Sequence, residues 1–357
     1  MSKKKIAVLF GGVSSEHEVS QISASAIINN LNREKYDLIL IGITKSGKWF
    51  IFNGNVDDIK NGKWENDKDN KKAFISPDTN THGIVILEDG KYNIIQIDAV
   101  IPALHGKNGE DGTIQGLFQL ANIPFVGCDT VSSAACMDKV ITNTMLSYNC
   151  INKAKFYWFY SQDFNSKPQY YIDEIDSYFN FYPLFVKPAN AGSSVGVNKV
   201  ENKDELMEAI NIAIKEDSKI LIEKGILGQE VECAVLGNRN PIASVIGEIA
   251  ASSSFYDYND KYINGTSKLY IPAHIPENVS DEIRTTAIKA YNIMGCEGLS
   301  RIDFFVERDT NRVFLNEINT FPGFTPISMY PKLMEQIGYS FSSLLDELIE
   351  LAIEKNK

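Results

Sequence analysis

Residues 301–325 read RIDFFVERDTNRVFLNEINTFPGFT, two apolar strands joined by a short polar turn. Centring the turn on its DTN triplet pairs Asp303 with Glu317 and Arg301 with Asn319. Side chains alternate along a strand, so these four share one face of the hairpin. The opposite, core face is predicted to carry Ile302, Phe304, Val306, Phe314 and Ile318.

The polar face of this hairpin suits a divalent cation. Mg²⁺ takes hard oxygen ligands and usually shares them with substrate phosphates, and Asp303, Glu317 and Asn319 offer such oxygens. A salt-bridged surface sheet is the open alternative, because surface faces also carry charge. The TFPGFT segment that follows includes Gly323, whose N–H could meet a developing oxyanion.

Composition sets the class of protein. The chain has 357 residues, 44% hydrophobic and 23% charged, which predicts two or three globular domains. A net charge of -11 argues against a nucleic-acid partner. The five cysteines are scattered and suit a reducing cytosol better than disulfides or zinc. With no apolar run near ~18 residues and no signal-peptide core, we expect a cytoplasmic protein without a membrane partner.

The order of predicted elements begins with a doubly wound α/β unit. Strands at 5–10 and 36–44 flank a helix over 19–31, and residues 45–97 form an antiparallel elaboration. The later predictions are strands at 99–104, 182–189, 219–226 and 230–237, and helices from about 113, near 138–149 and over 203–216. The polar, aperiodic stretch 251–270 predicts a functional loop.

Several charged residues outside the hairpin are candidates for ligand binding. Lys187 precedes a loop of small residues whose backbone N–H groups could wrap phosphate, and Lys139 could be a second phosphate lysine. Glu16 lies where open α/β sheets bind ligands and could hold a substrate ammonium. For these three the alternatives of a surface loop, a solvated helix residue and a helix-start residue stay open. Glu110 and Asp111 could equally cap the helix that follows them.

Taken in order, several segments resemble the D-alanine–D-alanine ligases of the ATP-grasp superfamily. They are EHEVSQISA, HGKNGEDGTIQG, CMDK, KPANAGSSVG, YDYNDKY, SRIDFF and NEINTFPGFTPISMYP. The resemblance implies an α/β fold of the mixed ATP-grasp kind, in which an N-terminal doubly wound α/β domain precedes two ATP-grasp domains that sandwich ATP. The implied boundaries are 1–128, 129–224 and 225–357.

The resemblance also implies the chemistry. One D-alanine would be phosphorylated by ATP to an acyl phosphate, and the amine of a second would displace phosphate, giving a precursor for peptidoglycan. ATP and two Mg²⁺ ions, which Mn²⁺ could replace, would be the cofactors, and a homodimer is expected. The alternatives are a resistance-type ligase that accepts D-serine or D-lactate, and a nucleotide-binding regulator without catalysis.

Roles carry over position by position from the resemblance. The residues of catalysis would be Glu16, Ser193, Tyr262, Arg301 and Gly323, and the substrates would contact Glu16, His105, Ser328 and Met329. ATP would contact Lys139, Lys187, Ser193, Ser194, Glu223, Glu230 and Lys261. The metal ligands would be Asp303, Glu317 and Asn319. Tyr262 predicts an amine acceptor, and the apolar Met329 predicts D-alanine over D-serine. Residues 140–159 and the KPAN segment depart from the usual pattern of the family.

Overall fold

The computed structural model describes residues 2–88, 90–192, 194–250 and 268–356, and its strands form three sheets in order along the chain. The first sheet has the spatial order β6-β5-β4-β3-β2-β1-β7. β1 pairs in parallel with β2 and β7, and every pair from β2 to β6 is antiparallel, as the sequence predicts. The strands are β1 (Lys4–Gly11), β2 (Tyr36–Ile43), β3 (Trp49–Phe52), β4 (Lys71–Ile75), β5 (Gly83–Glu88), β6 (Lys91–Gln96) and β7 (Ala99–Pro102).

Helices cover both faces of this sheet, which explains the continuous apolar run of β1. Ile6 and Val8 pack into the core shared with α1 (His17–Asn30). Ala7 and Leu9 face the opposite core, shared with α3 (Thr113–Leu120). The short helix α2 (Val56–Lys60) and a 3₁₀ turn (Lys63–Asn66) follow β3.

The central sheet has the order β10-β9-β11-β8, with antiparallel neighbours. Helices α7 and α8 bury one face, while Lys187 and Leu221 lie opposite each other on the face away from that core. The elements of this region are α4 (Thr130–Met137), α5 (Lys139–Tyr148), β8 (Phe156–Tyr160), α6 (Ser161–Ser166), α7 (Pro168–Phe179), β9 (Leu184–Pro188), β10 (Asn198–Val200), a 3₁₀ turn (Lys203–Glu205), α8 (Leu206–Ala213) and β11 (Lys219–Lys224).

The third sheet has the order β14-β13-β12-β15-β16 and is antiparallel throughout. Helix α9 packs on one face, and α10 packs against β12 and β13. The elements are β12 (Gly228–Leu236), β13 (Ile242–Ala250), β14 (Lys268–Tyr270), α9 (Glu277–Ile293), β15 (Leu299–Glu307), β16 (Val313–Asn319), α10 (Met329–Gln336) and α11 (Phe341–Lys355).

The hairpin formed by β15 and β16 has the predicted polar pairs but contains a bulge. Asp303 faces Glu317 and Arg301 faces Asn319, as predicted. The next residue along β15 faces Leu315, so Asn316 is the extra, unpaired residue. The bulge reverses the alternation toward the turn, and Leu315 joins the core. The prediction that Phe314 belongs to that core face was wrong for this reason.

Two other predictions need correction, and several elements were not predicted. Residues 268–270 of the predicted loop form strand β14, while residues 251–267 lie outside the described ranges. Helix α8 is shorter than the predicted range 203–216, because it begins after a 3₁₀ turn capped by the Asn202 side chain. The elements that were not predicted from the sequence include β8, β13, α4, α6, α7 and α9.

The last helix, α11, packs against the first sheet and not only against its own neighbours in sequence. Leu344, Leu348 and Ile349 are fully buried in the same core as Ile6 and Ile27. Ion pairs join the same two regions at the surface, Lys4 with Glu350 and Lys35 with Asp346. Among the helices of the described ranges, none has the length and apolarity that crossing a bilayer requires.

Candidate active site

Three carboxylates lie in a row across neighbouring strands of the third sheet. On β12, Glu232 is the partner of Asp303, which in turn faces Glu317 on β16. Arg301 lies beside this row and donates two hydrogen bonds of 2.7 Å to Asp303, with Glu232 at 3.1 Å from its Nε. Burial opposes the charge of Arg301, but the carboxylates of Asp303 and Glu232 raise its pKa well above the ordinary value. A cation is thereby fixed at the edge of an acidic row.

The carboxylate and amide oxygens on this face are of the type that binds magnesium. Asn319 donates from its amide nitrogen to Asp303 at 2.9 Å, so that its amide is held beside the carboxylate. Within the described ranges no three acidic, histidine or cysteine side chains already form a metal cage. Mg²⁺ does not need one, because it binds through one or two carboxylates and completes its shell with phosphates and water.

Two of the predicted phosphate lysines lie in the central region, and one of them, Lys139, approaches this acidic row. The Lys187 ammonium forms a 2.6 Å ion pair with Glu223, which also accepts a 2.7 Å hydrogen bond from Asn143. Burial alone would raise the pKa of Glu223, but the Lys187 ammonium helps to lower it below its ordinary value. The Lys139 ammonium donates to the Ala191 carbonyl at 2.7 Å and lies 3.9 Å from Glu317. Lys139 therefore connects the small-residue loop to the third sheet.

The start of helix α5 determines where Lys139 lies. Asp138 caps the helix by accepting from the N–H groups of Val140 and Ile141, and it forms a 2.5 Å ion pair with Lys219. The N–H of Lys139 donates to the Ala189 carbonyl at 3.1 Å. The side chain of Lys139 is only 17% exposed, which is less than expected of a solvated helix residue.

Two charged residues of this region, Glu232 and Lys153, were not predicted from the sequence. Lys153 precedes β8 and donates from its ammonium to the Asn316 carbonyl at 2.5 Å. Burial lowers the pKa of Lys153 to about 8, although the negative charge of Glu223 partly opposes that change. The signal for Lys153 was present as a departure from the family pattern in 140–159, but no role was attached to it.

Glu16 occupies a pocket formed by glycines. It directly precedes α1, and only 6% of its surface is exposed. A Cβ at Gly192 would lie 2.8 Å from its carboxylate oxygen, and one at Gly106 would lie closer still. The small-residue loop of the central region thus reaches the Glu16 carboxylate. This burial distinguishes Glu16 from a surface residue that only interacts with a helix dipole.

Glu110 and Asp111, left open as capping residues, have different roles. Asp111 accepts from the N–H groups of Asn108 and Thr113 and so organises the start of α3. Glu110 accepts from the Gly106 N–H at 2.7 Å, and burial, followed by the negative charge of Glu16, raises its pKa. Glu110 therefore holds its proton to a higher pH than an ordinary glutamate does.

His105 joins the first sheet to the segment after the hairpin. Its Nε2 lies 3.0 Å from the Ser23 hydroxyl, which also accepts a 3.3 Å hydrogen bond from the Phe324 N–H. Burial lowers the pKa of His105 to about 4, so the ring is neutral near pH 7. The ring also approaches that of Phe321, with 6.1 Å between centroids.

Ser328 and Gly323 lie together at the other end of the site. The Ser328 hydroxyl accepts from the Thr325 N–H at 3.0 Å, and a Cβ at Gly323 would lie 2.8 Å from it. Met329 is 4% exposed, and its sulfur packs beside Gly247 of β13. The thioether therefore belongs largely to the core under the segment and not to an open pocket wall.

The remaining predicted residues are placed as follows. Ser194 lies in the small-residue loop with a φ of 59°, and Glu230 lies on β12, two residues before Glu232. Ser193, Lys261 and Tyr262 lie outside the described residues. Of the residues predicted at the metal and phosphate sites, the structure brings together Lys139, Lys187, Glu223, Asp303, Glu317 and Asn319.

Comparison with known proteins identifies the family. The sequence matches the D-ala D-ala ligase N-terminus family over residues 5–128 and the D-ala D-ala ligase C-terminus family over residues 145–350. The chain belongs to the D-alanine–D-alanine ligase family. It is similar to a D-alanine–D-alanine ligase of Caldicellulosiruptor bescii, with 49% identity over 100% of this chain and 97% of the relative.

Solved structures of similar fold are ligases of the same family. The chain resembles the VanG D-Ala:D-Ser ligase of Enterococcus faecalis, with a TM-score of 0.89, 44% identity and coverage of 98% of this chain and 100% of that one. It also resembles a Bacillus anthracis D-alanine–D-alanine ligase complexed with ATP, with a TM-score of 0.73, 27% identity and coverage of 99% and 98%. The ATP-grasp fold and the interpretation of the sequence as an ATP-dependent ligase of this family are confirmed.

Proposed function

We propose that this chain joins two D-alanines to D-alanyl-D-alanine, converts ATP to ADP and phosphate, and so supplies a precursor of peptidoglycan. The observation that carries the proposal is the acidic row of Glu232, Asp303 and Glu317, with Arg301 at its edge and Lys139 facing it. Acyl transfer through a phosphorylated carboxylate needs charge balanced at the phosphates and a cation at the carbonyl oxygen. This arrangement offers both.

In the first step, a carboxylate oxygen of the donor D-alanine attacks the γ-phosphorus of ATP, and the bond to the β,γ-bridging oxygen breaks to release ADP. Glu16 holds the donor ammonium, and its buried carboxylate favours a charged partner. Lys139 and Lys187 neutralise phosphate oxygens, while Glu223 and Glu230 bind the adenine and ribose ends. Asp303, Glu317 and Asn319 would hold Mg²⁺, which when bound neutralises the charge of the phosphates.

In the second step, the amine of the acceptor D-alanine attacks the acyl carbon, a C–N bond forms, the amine loses a proton and phosphate leaves. Arg301 and the Gly323 N–H stabilise the oxyanion of the tetrahedral intermediate. Ser328 binds the acceptor carboxylate, and neutral His105 helps to hold the loop that follows the hairpin. For Lys261, Ser193 and Tyr262 we propose contact with the transferring phosphoryl group and closure over Glu16, which excludes water from the acyl phosphate.

A second candidate function is ligation of D-alanine to D-serine, because the chain resembles a D-Ala:D-Ser ligase at 44% identity. The two candidates differ only in the acceptor. We propose D-alanine, since Met329, which follows Ser328, packs its thioether into the core and leaves no side-chain donor or acceptor there for a serine hydroxyl. An unpaired hydroxyl would cost about 1–3 kcal/mol, or roughly ten- to a hundredfold in selectivity.

The test is phosphate release from ATP with D-alanine, followed by competition between equimolar D-alanine and D-serine with identification of the dipeptides. D-alanyl-D-alanine as the main product supports the proposal. A product made mostly of D-alanyl-D-serine would instead establish the second function. ATP consumption without any dipeptide would contradict both.

Location and assembly are further proposals. The described residues include five free thiols, which suits the cytoplasm, where thiols stay reduced. A homodimer is proposed from the resemblance to the family, and light scattering on the purified chain measures it directly. Division into domains at 1–128, 129–224 and 225–357 is supported by the placement of one sheet within each range.

A further inference from the structure

Lys153 lies among the charged residues of the site, although no role follows for it from the resemblance to the family. It lies in the segment 140–159, which departs from the usual pattern of the family, three residues before the start of β8. It forms an isolated bridge with Leu315 of β16. That bridge continues in the hydrogen bond from the Leu315 N–H to the Asn152 carbonyl, at 3.0 Å. The segment is thus attached to the bulged strand of the hairpin.

The bulge explains where the ammonium of Lys153 points. Asn316 is the extra residue of β16 and has no Cα partner on β15. The Lys153 ammonium binds this carbonyl at 2.5 Å. An ammonium has three N–H donors, and the Asn316 carbonyl accepts from one of them. Two donors therefore remain available to a ligand.

The charges around Lys153 belong to the proposed nucleotide site. Glu223 and Glu317 attract its charge, while Lys187 and Lys139 repel it. Three ammonium groups and two carboxylates thus share this cluster. A group of anionic oxygens entering between them would relieve the repulsion among the lysines. The side chain is half-buried, so a ligand in the site can reach it.

We propose that Lys153 is a further nucleotide-binding lysine, which contacts the α- or β-phosphate of the bound nucleotide. The inference rests on the proposed nucleotide site and adds to it a contact specific to this chain. The α,β end is favoured over the γ end because Arg301 pairs with Asn319, three residues beyond Asn316. Three strand residues span about 10 Å, which separates Lys153 from the reacting carbonyl.

The test is calorimetric titration of the full chain with ADP in a magnesium-free buffer containing EDTA, without D-alanine. Lys153→Met should weaken ADP binding about tenfold or more, the loss expected for a charge-assisted hydrogen bond. The affinity should also depend less on ionic strength than in the wild type, because one phosphate contact is missing. Binding of adenosine, which has no phosphate, should be unchanged.

Lys155→Met is the matched control. Lys155 lies two residues further along and donates to the Tyr178 carbonyl with its ammonium over the Tyr178 ring, 4.0 Å from the centroid. This variant should bind ADP as the wild type does. Lys153→Gln serves as a second variant, because an amide can donate to the Asn316 carbonyl without carrying charge. It should show the same loss of ADP affinity with a melting temperature near that of the wild type.

Unchanged ADP affinity in a folded Lys153→Gln variant would overturn the inference, as would a lower melting temperature with unchanged affinity, which marks a structural role alone. Equal losses for ADP and adenosine would place Lys153 at the base and also overturn it. If the wild type binds no ADP at all, the proposed nucleotide site fails together with the inference. Binding by the wild type and Lys155→Met, with loss in both Lys153 variants, supports it.

Discussion

Single residues at this site act through their neighbours, and Asp303 is the clearest case. Its carboxylate accepts from both Arg301 and Asn319 and lies between Glu232 and Glu317 on adjacent strands. Changing Asp303 would therefore disturb the proposed metal site and the proposed oxyanion cation together. Glu317 lies at the end of the row, and its substitution separates these effects better.

Glu317→Gln should lower kcat/KM for ATP-dependent dipeptide formation by roughly a hundredfold or more, because a neutral amide is a poorer magnesium ligand. The fold should remain, since the amide is the same size as the carboxylate. Phosphate release at increasing Mg²⁺ concentrations measures the effect. Glu307→Gln is the control, because Glu307 ends β15 and bonds Thr310 at the exposed turn. A small loss at saturating Mg²⁺ would favour the salt-bridged surface sheet.

His105 should make stability depend on pH below neutrality. The unfolded chain binds a proton at this residue near pH 6.5, whereas the folded chain does so only near pH 4. The contribution of the neutral His105 ring to the free energy of unfolding is complete above about pH 6.5. It falls as the pH is lowered and is lost below about pH 4. Over that range it amounts to roughly 3 kcal/mol.

Urea unfolding of the wild type and His105→Gln at several values between pH 7 and pH 4 measures this contribution. The free energy of unfolding of the wild type should fall more steeply with acid than that of the variant. Because Glu110 and other groups titrate in both proteins, the difference between the two curves is the relevant quantity. Parallel curves would show that His105 is protonated in the folded chain at the same pH as in the unfolded chain.

Among the elements, the loop of small residues after β9 has a geometric reason for its composition. A Cβ at Gly192 would lie 2.8 Å from the Glu16 carboxylate. The Glu16 side chain would have to move to avoid this contact. Gly192→Ala should therefore lower kcat/KM for D-alanine about tenfold and change the free energy of unfolding little. Steady-state kinetics with variable D-alanine measures it.

Gly116→Ala is the matched control for this substitution. Gly116 lies within α3, and a Cβ there would meet the Thr130 side chain at an ordinary 3.7 Å. Alanine should stabilise the helix by about 0.5–1 kcal/mol and leave the kinetics unchanged. Equal kinetic effects of the two variants would contradict a specific contact between Gly192 and Glu16.

The hairpin also shows how far sequence reasoning reaches. Alternation and a centred turn were enough to pair Asp303 with Glu317, because that pairing is local. The bulge at Asn316 was not predicted, and the segment that contacts the bulge, around Lys153, lies far away in sequence. Glu232 was missed for a similar reason. Its importance follows from the pairing of β12 with β15, which no short motif encodes.

For the whole molecule, the decisive feature is that α11 completes the core of the first sheet. Leu348 is 1% exposed in a core that also contains Ile6 and Ile27. Leu348→Ala should lower the free energy of unfolding by about 2–5 kcal/mol, through lost burial and the cavity left behind. Scanning calorimetry or urea unfolding of the full chain measures this loss.

Leu351→Ala is the comparison for this prediction, because Leu351 lies in the same helix but only partly buried against the core. Its effect should be clearly smaller than that of Leu348→Ala. Similar losses for both would indicate that the helix contributes through its surface contacts, such as the pair of Lys4 with Glu350, and not through the core.

The position of α11 has a consequence for biosynthesis. The ribosome releases the first sheet with β7, which ends at Pro102, but the buried residues of α11 follow roughly 240 positions later. At about 5–20 residues per second, one apolar face of the nascent sheet waits roughly 10–50 s for its cover. During that interval the emerging chain presents a substrate for chaperones that bind exposed apolar segments, and synonymous codons that slow translation after β7 would lengthen it.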